Sequence, residues 1–161
     1  MSTLPAPGTA KVATLRAARA GDADRIADIH LRARRTAMPW LARPHTDEET
    51  RTWVRGVLVP SGAVTVAERQ GQVVGYTAVT DGWLEHLYVD PAAQGRGAGS
   101  LLFAHAQATQ PSGFDLWVFQ RNAAALAFYA RRGCVEMERT DGATNEEREP
   151  DVRLRWTPPA S

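Results

Sequence analysis

Gln94-Gly95-Arg96-Gly97-Ala98-Gly99 directly follows an apolar run, Leu84–Val89, and precedes a stretch with helical patterning that begins at Ser100. Glycines let the backbone approach an anion closely, and the first amides of a helix have no partner within it. The helix dipole adds positive potential at the same place. The segment therefore predicts a phosphate-binding loop between a strand and a helix, with a pyrophosphate as its expected ligand.

Two other phosphate loops fit this segment less well. A Walker loop ends in Gly-Lys-Ser/Thr, but here Gly99 is followed by Ser100, and Lys11 is the only lysine in the chain. A dinucleotide loop places an acidic residue about 20 residues further on. Asp115 has roughly that spacing, but the glycine pattern differs. A nucleotide-binding protein of another class is therefore the weaker alternative.

The loop resembles that of the GNAT superfamily of acyl-CoA-dependent N-acetyltransferases, which reads Gln/Arg-x-x-Gly-x-Gly/Ala. Residues 94–99 match every specified position. The preceding segment Leu87–Pro91 is similar to the family's approach to this loop. A second family-like block lies further on and contains Asn122, Ala125, Phe128, Tyr129 and Gly133. The sequence departs from the family pattern at Ala130, where an acidic residue is frequent, and at Cys134, where an aromatic residue is common.

Length and composition predict one globular domain spanning residues 1–161, in which residues 1–10 are expected to form a flexible tail. The net charge of +1 gives no reason to expect nucleic acid or a membrane as partner. One cysteine, no long apolar segment and no signal-peptide pattern make the cytoplasm the expected location. No metal-ligand spacing occurs. A homodimer stays open as the assembly state.

Hydrophobic periodicity and turn residues predict an α/β chain. Asp22 is expected to cap a first helix that reaches about Thr36, and Thr46 with Glu49 forms a capping box for a second helix that reaches about Val57. The remaining helices are predicted at 97–109 and 122–132. The strands are predicted at 12–16, 63–68, 72–79, 83–89, 114–119, 134–140 and 152–156.

The resemblance implies a mixed, mainly antiparallel sheet of about seven strands, with helices on both faces. It also implies that strands Trp83–Val89 and Phe114–Phe119 splay apart into a V-shaped cleft that binds acetyl-CoA. Asn122 would contact the cofactor, although a helix N-cap also explains it. The expected cofactor-binding residues are Leu87, Tyr88, Val89, Gln94, Gly95, Arg96, Gly97, Ala98, Gly99 and Asn122. Arg96 and Arg121 are further expected to neutralise phosphates, whereas Arg131 and Arg132 suit a solvent-exposed helix end.

Two residues are predicted to move protons. The resemblance assigns Tyr129 as the general acid near the CoA sulfur; packing beside Phe128 is the alternative. Strand alternation places residues 83, 85, 87 and 89 on one face and makes Glu85 the leading general base; a solvated glutamate is the alternative. His86 would point to the opposite face. His45, in the loop before the second helix, is a weaker base candidate.

The sequence thus predicts an N-acetyltransferase that transfers an acetyl group from acetyl-CoA to a primary amine by direct attack. The alternative is a noncatalytic acyl-CoA-binding sensor of the same fold. Cys134 is expected to be a small buried residue, since the direct route needs no covalent enzyme intermediate. The amine is unidentified, and two segments are expected to border its site: Trp40–Thr46 and the acidic loop Asp141–Pro150.

Overall fold

The computed structural model describes residues 12–160 and contains a seven-stranded sheet of order β1-β2-β3-β4-β5-β7-β6. Every neighbouring pair is antiparallel except β4 and β5, which are parallel. The predicted fold class is therefore confirmed. The strands are β1 Thr14–Ala17, β2 Val64–Arg69, β3 Gln72–Thr80, β4 Trp83–Val89, β5 Phe114–Phe119, β6 Val135–Arg139 and β7 Asp151–Trp156.

Helices cover both faces of the sheet. One face packs against α1 and the segment after α2, through a buried cluster that includes Ile26, Ile29, Val54 and Tyr76. The other face packs against α3 and α4 through Phe103, Leu116 and Tyr129, among others. Burial on both faces follows from the amphipathic spacing of the helices. The helices are α1 Ala23–Ala37, α2 Asp47–Trp53, α3 Ala98–Thr109 and α4 Ala123–Arg131.

The two predicted helix starts have different outcomes. At α2 the capping box is confirmed, because Glu49 N donates to Thr46 Oγ1 and Thr46 N donates to Glu49 Oε1, both at 3.1 Å. Helix α2 ends at Trp53, however, and wider and tighter helical turns continue to Ser61. The Asp22 carboxylate does not cap α1. It accepts hydrogen bonds from Arg19 N at 2.7 Å and Arg16 Nη1 at 2.8 Å instead.

Strands β4 and β5 pair only where they begin. Trp83 is opposite Asp115, and Asp115 N donates to Gly82 O at 2.9 Å. Beyond this point β4 remains paired with β3 on its other side as far as Val89, while β5 remains paired with β7 as far as Phe119. The facing edges of β4 and β5 therefore diverge, as predicted, and expose backbone groups to the space between them.

Glu85 interrupts the regular alternation of β4. His86 is opposite Ala78 and Leu84 is opposite Val79, so Glu85 is one extra residue on this strand, a β-bulge. Leu84 and Leu87 consequently contact the same hydrophobic cluster, although three positions separate them. The predicted face of residues 83, 85, 87 and 89 is therefore wrong, because the alternation behind it does not continue through the bulge.

The predicted tail, residues 1–10, lies outside the described residues. Within residues 12–160, no helix combines the length and apolar character needed to cross a membrane.

Gly113 lies where the chain before β5 packs closely against the end of β7. Substitution at this position should strongly destabilise the protein. Its φ is +111°, and a Cβ would lie 2.6 Å from the Trp156 carbonyl oxygen, a backbone atom that cannot rotate away. We expect Gly113→Ala to lower the free energy of unfolding in urea by about 2–4 kcal/mol. Gly21→Ala is the matched control, because its Cβ would meet nothing within 4 Å. Equal losses in the two variants would contradict the prediction.

Candidate functional site

The splayed strands enclose a cleft of about 640 Å³. Its walls come from β4, the glycine loop, the first turn of α3, β5 and α4. Every predicted cofactor-binding residue except Arg96 lines it, as do Tyr129 and Glu85. The fold thus brings two sequence blocks, around residues 94–99 and 122–129, to one site.

The glycine loop leaves open space in front of its backbone. Gly95 and Gly97 have φ values of +81° and +88°, and a Cβ at either position would meet nothing within 4 Å. Gly97 is the N-cap of α3, and Leu101 N donates to its carbonyl at 3.0 Å. The amides that precede Leu101 come before the helical hydrogen-bond ladder and suit an anion. Gly99 differs, because its Cβ would lie 3.3 Å from the Phe128 ring.

Side chains hold this loop in place. The buried carboxylate of Asp90 accepts from Ala92 N at 3.1 Å and from Arg25 Nη2 at 2.6 Å. Gln94, predicted to bind cofactor, donates through Nε2 to the Val89 carbonyl at 3.2 Å while it lines the cleft. Arg96 is exposed and lies outside the cleft lining.

The arginine beside the loop is Arg132. Its guanidinium carbon lies 3.4 Å from the centre of the Phe128 ring, and Nη2 donates to Ser100 Oγ in the first turn of α3. Arg121 is engaged elsewhere, because it pairs with Glu149 at 2.7 Å and lies over the Trp40 ring. The sequence analysis assigned Arg132 to a solvent-exposed helix end and did not place it beside the loop. Its position four residues after Phe128, one helical turn further on, was the available signal.

Asn122 occupies the start of α4 at the edge of the cleft. Its Oδ1 accepts from Ala125 N at 3.2 Å, which is the N-cap geometry considered as the alternative to a cofactor contact. The residue also lines the cleft, so capping and a cofactor contact are compatible.

Tyr129 lies at the inner wall of the cleft. It is 9% exposed and packs against the rings of Phe103 and Phe128, at centroid distances of 6.0 and 5.1 Å. Burial raises the pKa of its hydroxyl, so the group is protonated at neutral pH. No hydrogen bond joins this hydroxyl to another of residues 12–160. The side chain therefore packs in the wall of the cleft and has a protonated hydroxyl.

Glu85 lies at the bulge in β4 and is exposed. Its Oε1 accepts a hydrogen bond from Thr80 Oγ1 at 3.0 Å. It borders the cleft on the cofactor side and does not line the neighbouring cavity described next.

A second cavity of about 500 Å³ adjoins the cleft. Arg34, Met38 and His86 line both spaces and form the junction between them. Arg34 donates to Tyr88 Oη at 2.8 Å and to Glu147 Oε1 at 3.3 Å. The sequence analysis did not single out Arg34, and it placed His86 only on the face opposite Glu85. Contacts between positions 34 and 147 leave no local pattern in the sequence.

Both segments expected at the acceptor site border the second cavity, through residues 41–45 on one side and 146–147 on the other. His45 lies on the exposed rim, where Nε2 is 3.1 Å from Glu146 Oε2 and Nδ1 is 3.7 Å from Glu49 Oε2. The hydrogen bond to Glu146 raises the pKa of His45. A raised pKa favours the protonated ring.

Residues 60–135 match the family model described as an acetyltransferase (GNAT) domain. Over 64 residues the chain is 33% identical to peptidyl-lysine N-acetyltransferase YjaB of Salmonella typhimurium. That match covers 40% of this chain and 43% of the relative, so it spans less than half of the length of the relative.

Solved structures extend the likeness to the whole fold. The solution structure of apo-form YjaB from Escherichia coli has a TM-score of 0.77 at 23% identity, and the match covers 92% of this chain and 99% of that one. YncA from Salmonella typhimurium, solved with its cofactor acetyl-CoA, has a TM-score of 0.67 at 18% identity over 92% and 95% of the two chains. At these identities the structures support the fold alone. Residues 60–135 are thus similar to a GNAT acetyltransferase domain, and the described chain has the fold of these solved structures.

Proposed function

We propose that this protein is an N-acetyltransferase that transfers an acetyl group from acetyl-CoA to a primary amine by direct attack. The observation that carries the proposal is the junction at Arg34, Met38 and His86, where two cavities meet beside the free edge of β4. One cavity contains the glycine loop that is proposed to bind phosphate, and the other lies between two helices and two surface loops. Two substrates could therefore bind from opposite sides and meet at the junction.

Three observations support acetyl-CoA as the ligand of the cleft. The loop from Gly95 to Gly99 offers backbone amides to a pyrophosphate, and the guanidinium of Arg132 lies beside it. The free edge of Leu87–Val89 can pair with the amide groups of pantetheine as an added strand would. YncA, whose structure was solved with its cofactor acetyl-CoA, has a similar fold.

The residues of the chain can then serve the chemistry in separate roles. A backbone N–H of Leu87–Val89 is proposed to stabilise negative charge on the thioester oxygen. As the amine nitrogen bonds to the acetyl carbon, the carbon–sulfur bond breaks, and Tyr129 is the proposed donor of a proton to the departing thiolate. Glu85 is the proposed acceptor, through water, of the proton that the amine loses.

A covalent route through Cys134 is less consistent with the structure. The thiol is buried, and burial raises its pKa to about 11. A thiol with so high a pKa is largely uncharged at neutral pH, whereas the thiolate is the nucleophile. The direct route needs no such group.

The alternative remains a noncatalytic sensor that binds acyl-CoA. A sensor would need the glycine loop but neither Tyr129 nor a second cavity. Release of free thiol from acetyl-CoA in the presence of an amine panel separates the two, because binding alone would give no release. A cytoplasmic location and a homodimer stay predictions.

Gly97→Glu should abolish acetyl-CoA binding, because its carboxylate would occupy the open space at the N-terminus of α3. We expect the affinity to fall at least about 100-fold, or about 2.7 kcal/mol. The measurement is the rise in melting temperature caused by acetyl-CoA. Gly62→Glu is the matched control, since Gly62 also has a positive φ, +77°, and open space around its Cβ but lies outside the cleft lining. A folded Gly97→Glu variant with unchanged affinity would locate the phosphate site elsewhere.

Tyr129→Phe should reduce turnover and leave acetyl-CoA affinity almost unchanged. The substitution keeps the packing against Phe103 and Phe128 while it removes the only proton that the side chain can donate. General acids typically contribute about 100-fold or more, so kcat should fall by about that factor. Single-turnover kinetics would measure the chemical step directly. A wild-type rate for that step would leave Tyr129 with a packing role only.

Glu85→Gln should lower turnover most at low pH, because there the amine is most often protonated. An alkyl ammonium has a pKa of about 10.4, so the ratio of variant to wild-type rate should rise from pH 7 towards pH 10. Glutamine keeps the bond from Thr80, which isolates the loss of the carboxylate.

His86→Gln provides the comparison for Glu85→Gln. Burial, with a smaller contribution from Arg34, lowers the pKa of His86 to about 4, so its ring is neutral over the whole of that range. If His86→Gln gives the pH-dependent loss and Glu85→Gln gives none, the proton acceptor is His86.

A further inference from the structure

The inner end of the second cavity is aromatic. His30, Trp53 and His86 form a triangle of rings with centroid separations of 5.9 Å, 5.8 Å and 5.5 Å. All three line the cavity. Desolvation lowers the pKa of His30 to about 3 and that of His86 to about 4, so both imidazoles are uncharged at neutral pH. Three neutral rings thus face the space where an acceptor would bind.

Apolar side chains continue this surface towards the rim. Met38 and Leu41 are buried below the α1–α2 loop and contribute to the lining. Leu31, Ala42 and Pro44 complete this apolar part of the wall. A cavity of 300–1,000 Å³ is typical of sites for small molecules, and about 500 Å³ falls within that range. This inner, apolar part of the lining suits an apolar body.

The acidic residues of the cavity already have hydrogen-bond or ion-pair partners. Asp47 pairs with Arg35, and Glu146 pairs with His45 at 3.1 Å. Glu147 pairs with Arg34 at 3.3 Å. Glu49 is occupied by the capping box of α2 and lies 3.7 Å from His45. Among the described residues, the rim therefore lacks the unpaired carboxylates that a polyamine would need for tight binding.

Arg34 also places a positive charge at the junction between the two cavities. Its guanidinium is largely buried, with 24% of the side chain exposed, and is held by Tyr88 and Glu147. A second ammonium group on the acceptor, near the reacting nitrogen, would be desolvated next to this charge. Such a contact is unfavourable.

We propose that the acceptor is a primary monoamine carried on a compact apolar body of the phenylethylamine kind. Its body would lie against Trp53 and the apolar wall, and its nitrogen would reach the junction beside His86. This inference rests on the proposed acetyltransferase function and narrows the class of its amine substrate.

The first test uses the wild-type chain and needs no substitution. Release of free thiol from acetyl-CoA is measured with 2-phenylethylamine, propylamine, spermidine, glutamate and a lysine peptide with a blocked N-terminus. We expect the kcat/KM for 2-phenylethylamine to exceed that for spermidine and for the peptide by about 10-fold or more, because neither can bury an aromatic body in the cavity. A preference for spermidine, glutamate or the peptide would overturn the substrate class and leave the acetyltransferase function standing.

Different results would contradict the proposed acceptor class and the proposed acetyltransferase function. If acetyl-CoA stabilises the protein but no amine releases thiol, the sensor alternative is favoured and the substrate class falls with the enzyme. If acetyl-CoA does not stabilise the protein, the cofactor assignment itself is wrong.

The second test locates the apolar body. Trp53→Ala should raise the KM for 2-phenylethylamine by about 10-fold, because most of the indole surface is removed, while the kinetics with propylamine, too short to reach the indole, should change little. Trp53→Phe keeps an aromatic ring and should restore most of the loss. The rise in melting temperature with acetyl-CoA should be the same in all three proteins, which also confirms that each variant is folded.

Trp40→Ala is the matched control for this series. Trp40 comes from the loop between α1 and α2, but its ring packs on Phe119 and Arg121 and lies outside the lining of the second cavity. Its truncation should leave the KM for 2-phenylethylamine unchanged. An equal rise in KM for Trp40→Ala and Trp53→Ala, or none for Trp53→Ala, would overturn the proposed position of the acceptor.

Discussion

The divergence of β4 from β5 is the constraint on which the rest of the site depends. The two strands share a single paired position, Trp83 opposite Asp115, and each is then held only by its outer neighbour. In a regular sheet the facing edges would satisfy each other, and no substrate could use them. Here the edges face a cleft, and the same divergence places the second cavity within reach of β4. An additional strand paired between β4 and β5 would occupy the space that the substrates need.

A strand with one free edge needs anchors at its end, and Asp90 supplies one. Its buried carboxylate is balanced by Arg25, which also donates to the Val73 carbonyl on β3. Helix α1 is thereby tied to the end of β4 and to the turn that leads into the glycine loop. Removing Arg25 would leave the buried carboxylate with only the more exposed Arg32, 3.3 Å away, which is destabilising. The position of the loop thus depends on a contact on the opposite side of the sheet from α3.

Local patterns predicted much of this arrangement. Strand β5 has the predicted bounds, and the Thr46–Glu49 box forms as expected, because both depend on residues close in sequence. The bulge at Glu85 could not be predicted in the same way. Strand alternation is visible in a sequence, but an extra residue appears only when the partner strand fixes the register. The same limit applies to Arg34 and Glu147, which meet across 113 positions of the chain.

The buried charge of Arg34 connects the shape of the site to its proposed chemistry. Its Coulombic effect helps to lower the pKa values of His30 and His86, and the same field would act on an ammonium at the junction. On the proposed function, the acceptor would therefore approach the thioester in a less basic, more readily deprotonated state. A proton acceptor in such a site needs to be less basic, so an exposed carboxylate acting through water, such as Glu85, could be sufficient. Glu147 moderates this field, because it neutralises part of the charge of Arg34 from the rim side. The Arg34–Glu147 ion pair would then determine both how strongly the cavity attracts a cationic amine and how readily that amine loses its proton at the junction.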